Sequence, residues 1–149
     1  MKRLLAIALL LLPAPLCAQP LTYGVTPGYW EIKTNWLGLY TKTERDCLVP
    51  ERIAKFLSGP CNHNYKCSYP IQTVADGHAH FEGDIRGHDE AYHVTGGGTY
   101  SATTLDMSMS GSGHWHIVPM LGHAWVKAHL IAPECPAGAT KYRLVLSAR

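Results

Sequence analysis

Two short stretches of the sequence place histidines at alternate positions. His78-Ala79-His80 and His114-Trp115-His116 each carry two imidazoles separated by one residue. Because alternate side chains of a β-strand share a face, each pair points in one direction if its segment is extended. Imidazole nitrogen is a common ligand of zinc and copper(II), so two such pairs on neighbouring strands would supply four ligands to one ion. The sequence therefore contains a candidate metal site at His78, His80, His114 and His116.

Other potential ligands lie close to these pairs in the sequence. Glu82 and Asp84 continue the parity of the first pair and could act as ligands or orient the imidazoles. Met107, Met109 and Met120 lie near the second pair, and their thioethers would suit copper(I). The alternative is an ordinary exposed sheet face with alternating polar residues, and methionines that fill a core. A zinc or copper cofactor follows only from the first interpretation.

Aromatic residues suggest a different kind of site. A curled antiparallel sheet often encloses an apolar pocket, and the side chains that could line one here are Trp30, Trp36, Trp115 and Trp125. The alternative is that they fill the core. We assign no catalytic residue, because the nucleophile motif Gly-x-Ser-x-Gly does not occur and the stretch 111–114 is typical of a loop of small residues. Acid–base chemistry by histidine, as in a hydrolase, remains an alternative.

The first 18 residues have the pattern of a secretory signal. Lys2 and Arg3 precede an apolar run, two prolines follow it, and Ala18 offers a small residue for cleavage. We predict a signal peptide over 1–18, a polar leader over 19–27 and a single β-rich domain over 28–147. The expected location is the periplasm, and no later segment is apolar and long enough to span a membrane.

Charge argues against a nucleic-acid partner. Of 13 lysines and arginines, two lie in the signal, which leaves 11 basic against 11 acidic residues. The remaining chain is neutral with histidine uncharged, and it lacks the basic stripe of a nucleic-acid-binding protein.

Four cysteines remain after the predicted signal, and an even number in a small exported protein indicates two disulfides. Three pairings are possible. We favour a local Cys61–Cys67 bridge together with a Cys47–Cys135 bridge that joins the first third of the domain to its end. A zinc site built from cysteine and histidine is the alternative, although no Cys-x-x-Cys pair is present.

Strands dominate the predicted structure. Asp76-Gly77 is a turn signal, and strict alternation follows, with Phe81 on an apolar face and His80 on a polar one. Pro50 and Glu51 begin the one predicted helix, over 50–57. Glycines at 96–98 and small residues at 110–113 indicate breaks between strands. The pattern predicts a mainly β fold: an antiparallel meander curled into a partial barrel or sandwich, with disulfides.

Several segments together resemble a known family. They are Pro27-Gly28-Tyr29-Trp30-Glu31, Cys47-Leu48-Val49-Pro50-Glu51, Gly97-Gly98-Thr99-Tyr100-Ser101, Leu105-Asp106-Met107-Ser108-Met109 and Pro133-Glu134-Cys135. The set resembles small exported proteins of Gram-negative bacteria that are known only as a domain of unknown function. The resemblance implies a periplasmic β-rich domain with structural cysteines and implies no catalytic residue. The family usually has threonine, a helix cap, where this chain has Val49, and its third cysteine usually comes later than Cys67.

These observations predict a non-catalytic periplasmic binding or envelope-associated protein. Its partner would be a small apolar ligand or an envelope protein. A histidine- and methionine-based metal-binding protein and a periplasmic hydrolase are the alternatives.

Overall fold

The computed structural model describes residues 23–139. The predicted signal peptide (1–18), the first four residues of the predicted leader (19–22) and the end of the predicted domain (140–147) lie outside the described residues.

The described residues form one antiparallel sheet of seven strands, with one helix. The sheet order is β2-β1-β7-β6-β5-β4-β3, and its edge strands β2 and β3 are not paired with each other. The elements in chain order are β1 (Gly28–Trp36), β2 (Tyr40–Leu48), α1 (Pro50–Ser58), β3 (Lys66–Ala75), β4 (His78–Arg86), β5 (Glu90–Tyr100), β6 (Thr104–Trp115) and β7 (Val118–Ala132). Strands β3 to β7 are a meander, and β1 pairs with β7. The predicted fold class is confirmed as a partial barrel with one short helix.

The sheet curls around its apolar face. Trp30 of β1 and Phe81 of β4 belong to one buried cluster, with exposed fractions of 0% and 2%. Three strands separate β1 from β4, so in a flat sheet the two residues would lie about 19 Å apart. They share a core because the sheet bends and because α1 packs inside the bend. We call this concave, apolar side the inner face.

Helix α1 joins the two edges of the sheet and covers part of the inner face. Ile53 and Leu57, one helical turn apart, are its buried residues, and α1 packs against β3 and β4. Pro50 occupies the first turn and Glu51 complements the positive end of the helix dipole. Val49 is the N-cap residue and makes no side-chain capping bond. The helix therefore depends on packing rather than on its caps.

Two predicted breaks are wrong. Residues 96–98 lie inside β5, and 110–113 lie inside β6. On the inner face the glycines are needed because larger side chains would collide: a Cβ at Gly96 would overlap the Phe81 ring, and one at Gly111 would lie 2.8 Å from Cγ1 of Val94. The β6–β7 turn instead lies at His116, whose φ is 53°.

Both favoured cysteine pairs are disulfides in the structure. Cys47 at the end of β2 is joined to Cys135 beyond β7, and Cys61 is joined to Cys67 at the start of β3. The first bridge ties an edge strand to the far end of the chain. The second closes a short loop between α1 and the sheet. Among residues 23–139, no helix is both long and apolar enough to cross a membrane.

Candidate functional site

The inner face of the sheet is filled at one end and open at the other. Helix α1 covers the end that carries Trp30, Leu105 and Met107. The other end holds a pocket of about 580 Å³, within the usual range for small-molecule sites. Six strands contribute lining residues, which are Trp36, Cys67, Ile85, Glu90, Tyr92, Val94, Met109, Gly111, Met120, Leu121, Gly122, His123 and Ala124.

Small residues on β6 and β7 produce the volume of this pocket. Gly111 of β6 pairs with Gly122 of β7, and Met109 pairs with Ala124 in the same register. Gly122 and Ala124 leave space where larger apolar residues would fill the inner face, whereas Gly111 makes room for the Val94 side chain, which would lie 2.8 Å from an added Cβ. The pocket is thus a consequence of the residue types at facing positions of two long strands.

Loops complete the wall and the rim. Pro60, Cys61, Asn62 and Tyr65 come from the segment between α1 and β3, which the Cys61–Cys67 disulfide constrains. Leu37 comes from the β1–β2 turn and lies on the rim beside Gly122. The disulfide fixes one side of the pocket, because it closes a loop of only a few residues around these lining groups.

One carboxylate stands among the apolar lining residues. Oε2 of Glu90 accepts hydrogen bonds from the Tyr65 hydroxyl, at 2.9 Å, and from the Tyr92 hydroxyl, at 3.0 Å. The pKa of Tyr65 is raised mainly by its hydrogen bond to Glu90. The pKa of Tyr92 is raised mainly by burial, and its hydrogen bond to Glu90 is the second cause. Both phenols therefore stay protonated and act as donors to the carboxylate.

The structure places the four tryptophans in different surroundings. Trp36 lines the pocket on the inner face. Trp30 is fully buried in the core and donates its indole N–H to the carbonyl of Thr26. Trp115 is exposed at the β6–β7 turn, and Trp125 lies on the outer face, with Lys33 Nζ 6.0 Å from its ring centre. The polar lining groups from Tyr65, Glu90 and Tyr92 were not identified from the sequence.

The two histidine pairs lie far apart: His78, His80 and His114 are on the outer face, whereas His116 is in the β6–β7 turn. His80 pairs with Gly97 of β5, and Gly97 pairs with Ser108 of β6, so Ser108 is the β6 residue in line with His80. His114 lies six residues further along β6, a distance of about 20 Å in an extended strand. The structure therefore does not bring His78 and His80 together with His114 and His116. Within residues 23–139, no group of three or more His, Cys, Asp or Glu is arranged to hold a metal ion.

Another histidine makes closer polar contacts. Nδ1 of His93 lies 3.1 Å from Oδ1 of Asp84, and its Nε2 lies 3.2 Å from Oε1 of Glu82. These two contacts, first that with Asp84 and then that with Glu82, raise the pKa of His93. Pairing across the β4–β5 turn brings the three together, since Asp84 faces His93 in the register. Because a short turn joins β4 and β5, counting residues outward from the turn could have paired Asp84 with His93 from the sequence.

A serine–histidine contact also occurs between β6 and β7. The Ser110 hydroxyl lies 2.9 Å from Nδ1 of His123, on adjacent strands. Both residues are exposed in a regular sheet, where cross-strand pairs of this kind are common. The Gly-Ser-Gly stretch that precedes His114 is strand rather than an active-site turn.

Comparisons with known proteins identify a family. A search of curated proteins and a search of solved structures each found no match. The family model described as "Protein of unknown function (DUF3617)" matches residues 25–135. That range covers all seven strands, the helix and both disulfides, and so most of the chain. This chain therefore belongs to the DUF3617 family.

Proposed function

We propose that this protein is a non-catalytic binding protein of the periplasm that holds a small apolar molecule in the pocket on its inner face. The observation that carries the proposal is the apolar pocket of about 580 Å³ at the end of the inner face that α1 leaves uncovered. The periplasmic assignment is supported by the signal-like residues 1–18 and by two disulfides, which are typical of oxidising compartments.

The energetics favour an apolar ligand. Side chains such as Trp36, Val94 and Met109 present carbon surface to the pocket, and a ligand that covers this surface gains about 25 cal/mol for each Å² removed from water. The rim is apolar as well: Leu121 is 82% exposed, and Leu37, whose side chain lies near Gly122, is also exposed. A bound ligand would cover part of this surface.

Nile red, an uncharged apolar dye, provides a direct test. We expect saturable binding of one dye per chain to the folded mature protein. Ala124 is buried in the pocket floor, so Ala124→Trp should fill the site and weaken binding about tenfold or more. Ser108→Trp adds the same side chain on the exposed outer face of the neighbouring strand and should leave binding unchanged.

A second pocket variant keeps the test sharp if Ala124→Trp does not fold. Gly122 lines the pocket and has room for a side chain, since the nearest atom to an added Cβ is Cδ2 of Leu37 at 3.6 Å. Gly122→Phe should therefore fold and still weaken dye binding. Absence of saturable binding, or equal binding by the pocket and control variants, would overturn the proposal.

Exposed apolar side chains at the pocket end favour envelope association as a second candidate function. Leu39 in the β1–β2 turn is 88% exposed and Ile117 in the β6–β7 turn is 95% exposed. Where such side chains form a contiguous exposed patch, they mark a surface that contacts membranes or partners. Co-sedimentation with phosphatidylcholine vesicles should fall in the Leu39→Ser, Ile117→Ser variant, and vesicle binding that is absent or unchanged in this variant excludes the candidate.

A further inference from the structure

We infer that the pocket contains a site for the polar head group of its ligand, an inference that rests on the proposed function. At this site Glu90, which is hydrogen-bonded by Tyr65 and Tyr92, selects apolar ligands whose polar end donates hydrogen bonds. An alkyl ammonium is the preferred class, and a carboxylate is the disfavoured one. The inference extends the proposal from a general apolar ligand to a definite kind of amphiphile.

The hydrogen-bond arrangement determines this preference. Both tyrosine hydroxyls donate to Oε2 of Glu90, which leaves Oε1 of the carboxylate as an acceptor. Each hydroxyl has used its hydrogen and retains acceptor lone pairs. The cluster therefore offers acceptors to a ligand rather than donors. A ligand ammonium can donate three hydrogen bonds, whereas a ligand carboxylate can donate none.

Charge acts in the same direction. Among the described residues that line the pocket, none is lysine or arginine, and Glu90 is the acidic one. A ligand carboxylate would place a second negative charge near Glu90 in apolar surroundings, where like charges repel more strongly than in water. An ammonium would form a charge-assisted hydrogen bond, which is roughly twice as strong as a neutral one.

The position of the cluster suits an amphiphile. Glu90 and Tyr92 lie at the start of β5, and Tyr65 reaches them from the loop that the Cys61–Cys67 disulfide closes. The apolar lining from Val94, Met109 and Ala124 lies further along the same inner face. A ligand with its polar end at Glu90 can thus lay its chain over apolar residues.

The test uses three probes with the same twelve-carbon chain: dodecylamine, 1-dodecanol and dodecanoate. Binding to the mature protein is measured by displacement of Nile red, below the aggregation limit of each probe. We expect dodecylamine to bind tightest, dodecanol next, and dodecanoate about tenfold or more weaker than the amine. Equal binding of the three, or tighter binding of dodecanoate, would overturn the inference while leaving the proposed function intact.

Variants identify the group responsible. Glu90→Gln should abolish the preference for dodecylamine over dodecanoate and keep dodecanol binding. Glu51→Gln, at an exposed position of α1, is the matched control and should keep the preference. The Tyr65→Phe, Tyr92→Phe variant retains the carboxylate and should also keep it. A preference that survives Glu90→Gln overturns the assignment to Glu90. Failure of all three probes and of Nile red to bind overturns the proposed function and this inference together.

Discussion

Removal of each disulfide should affect stability and ligand binding in opposite order. The two bridges close loops of very different length, with sequence separations of 88 for Cys47–Cys135 and 6 for Cys61–Cys67. The chain-entropy relation gives about 4.6 kcal/mol for the long loop and about 2.2 kcal/mol for the short one at 25 °C. The Cys47→Ser, Cys135→Ser variant should therefore be about 2.4 kcal/mol less stable than the Cys61→Ser, Cys67→Ser variant.

Urea unfolding, followed by far-ultraviolet circular dichroism, measures both differences. A typical domain of this size has a free energy of unfolding of about 5–15 kcal/mol, so loss of the long-range bridge removes a large share of it. Failure of the Cys47→Ser, Cys135→Ser variant to fold would agree with this order. The reasoning is refuted if the short-loop variant is the less stable of the two or is the one that fails to fold.

The affinity for Nile red should change in the opposite order: the Cys61→Ser, Cys67→Ser variant should lose more affinity than the Cys47→Ser, Cys135→Ser variant. Cys61 and Cys67 line the pocket, and their loop carries Tyr65. Without the bridge, the loop becomes ordered only when the dye binds. This ordering has a free-energy cost of about 0.5–1.5 kcal/mol for each side chain that is immobilised. The dye affinity should fall about two- to tenfold in the short-loop variant and remain nearly unchanged when Cys47–Cys135 is removed. Affinity losses that simply follow the losses of stability would show that the loop has no special part in the site.

Three further predictions test other parts of the structure. Leu57→Ala should lower the free energy of unfolding in urea by about 2–5 kcal/mol because Leu57 is fully buried. Lys55→Ala, on the exposed side of α1, is the control and should change the free energy of unfolding little. Equal effects of the two substitutions would contradict the packing of α1. Val49→Thr should stabilise the protein by about 0.5–1 kcal/mol, since it supplies the missing N-cap acceptor, and a loss of stability would show that the cap cannot form. Titration by nuclear magnetic resonance should give His93 a pKa above 6.5, lowered in Glu82→Gln, and a value below 6.5 would contradict the contacts. Because this pKa is raised on folding, its contribution to stability is complete below the unfolded pKa near 6.5 and is lost as the pH rises through the folded value.

Local patterns in the sequence predicted the elements but not all of their limits. The alternation after Asp76-Gly77 correctly placed Phe81 in the core and His80 in solvent, because the parity of a strand is a local property. The stretches 96–98 and 110–113 were taken for breaks, since glycine and serine are common in loops. Their true role depends on what faces them: Gly96 makes room for the ring of Phe81, which arrives from another strand.

The candidate site depended on relations between distant segments. The Glu90 cluster requires a loop closed by Cys61–Cys67 to reach the start of β5, and no pattern within either segment reveals this. The predicted four-histidine site needed β4 and β6 to be neighbours with aligned pairs, but β5 lies between them and the pairs are offset along the strands. Chain order alone did not determine either relation.

The uneven filling of the inner face is itself an argument for binding. Protein interiors pack to a nearly constant density, and each buried methylene stabilises by about 0.8 kcal/mol. At one end, helix α1 and the residues around Trp30 form a buried apolar cluster. At the other end Gly111 faces Gly122, and apolar groups border an open space. Gly122 has room for a side chain, and a larger residue there would add stability, so its small size is best explained by a molecule that fills the space in its place.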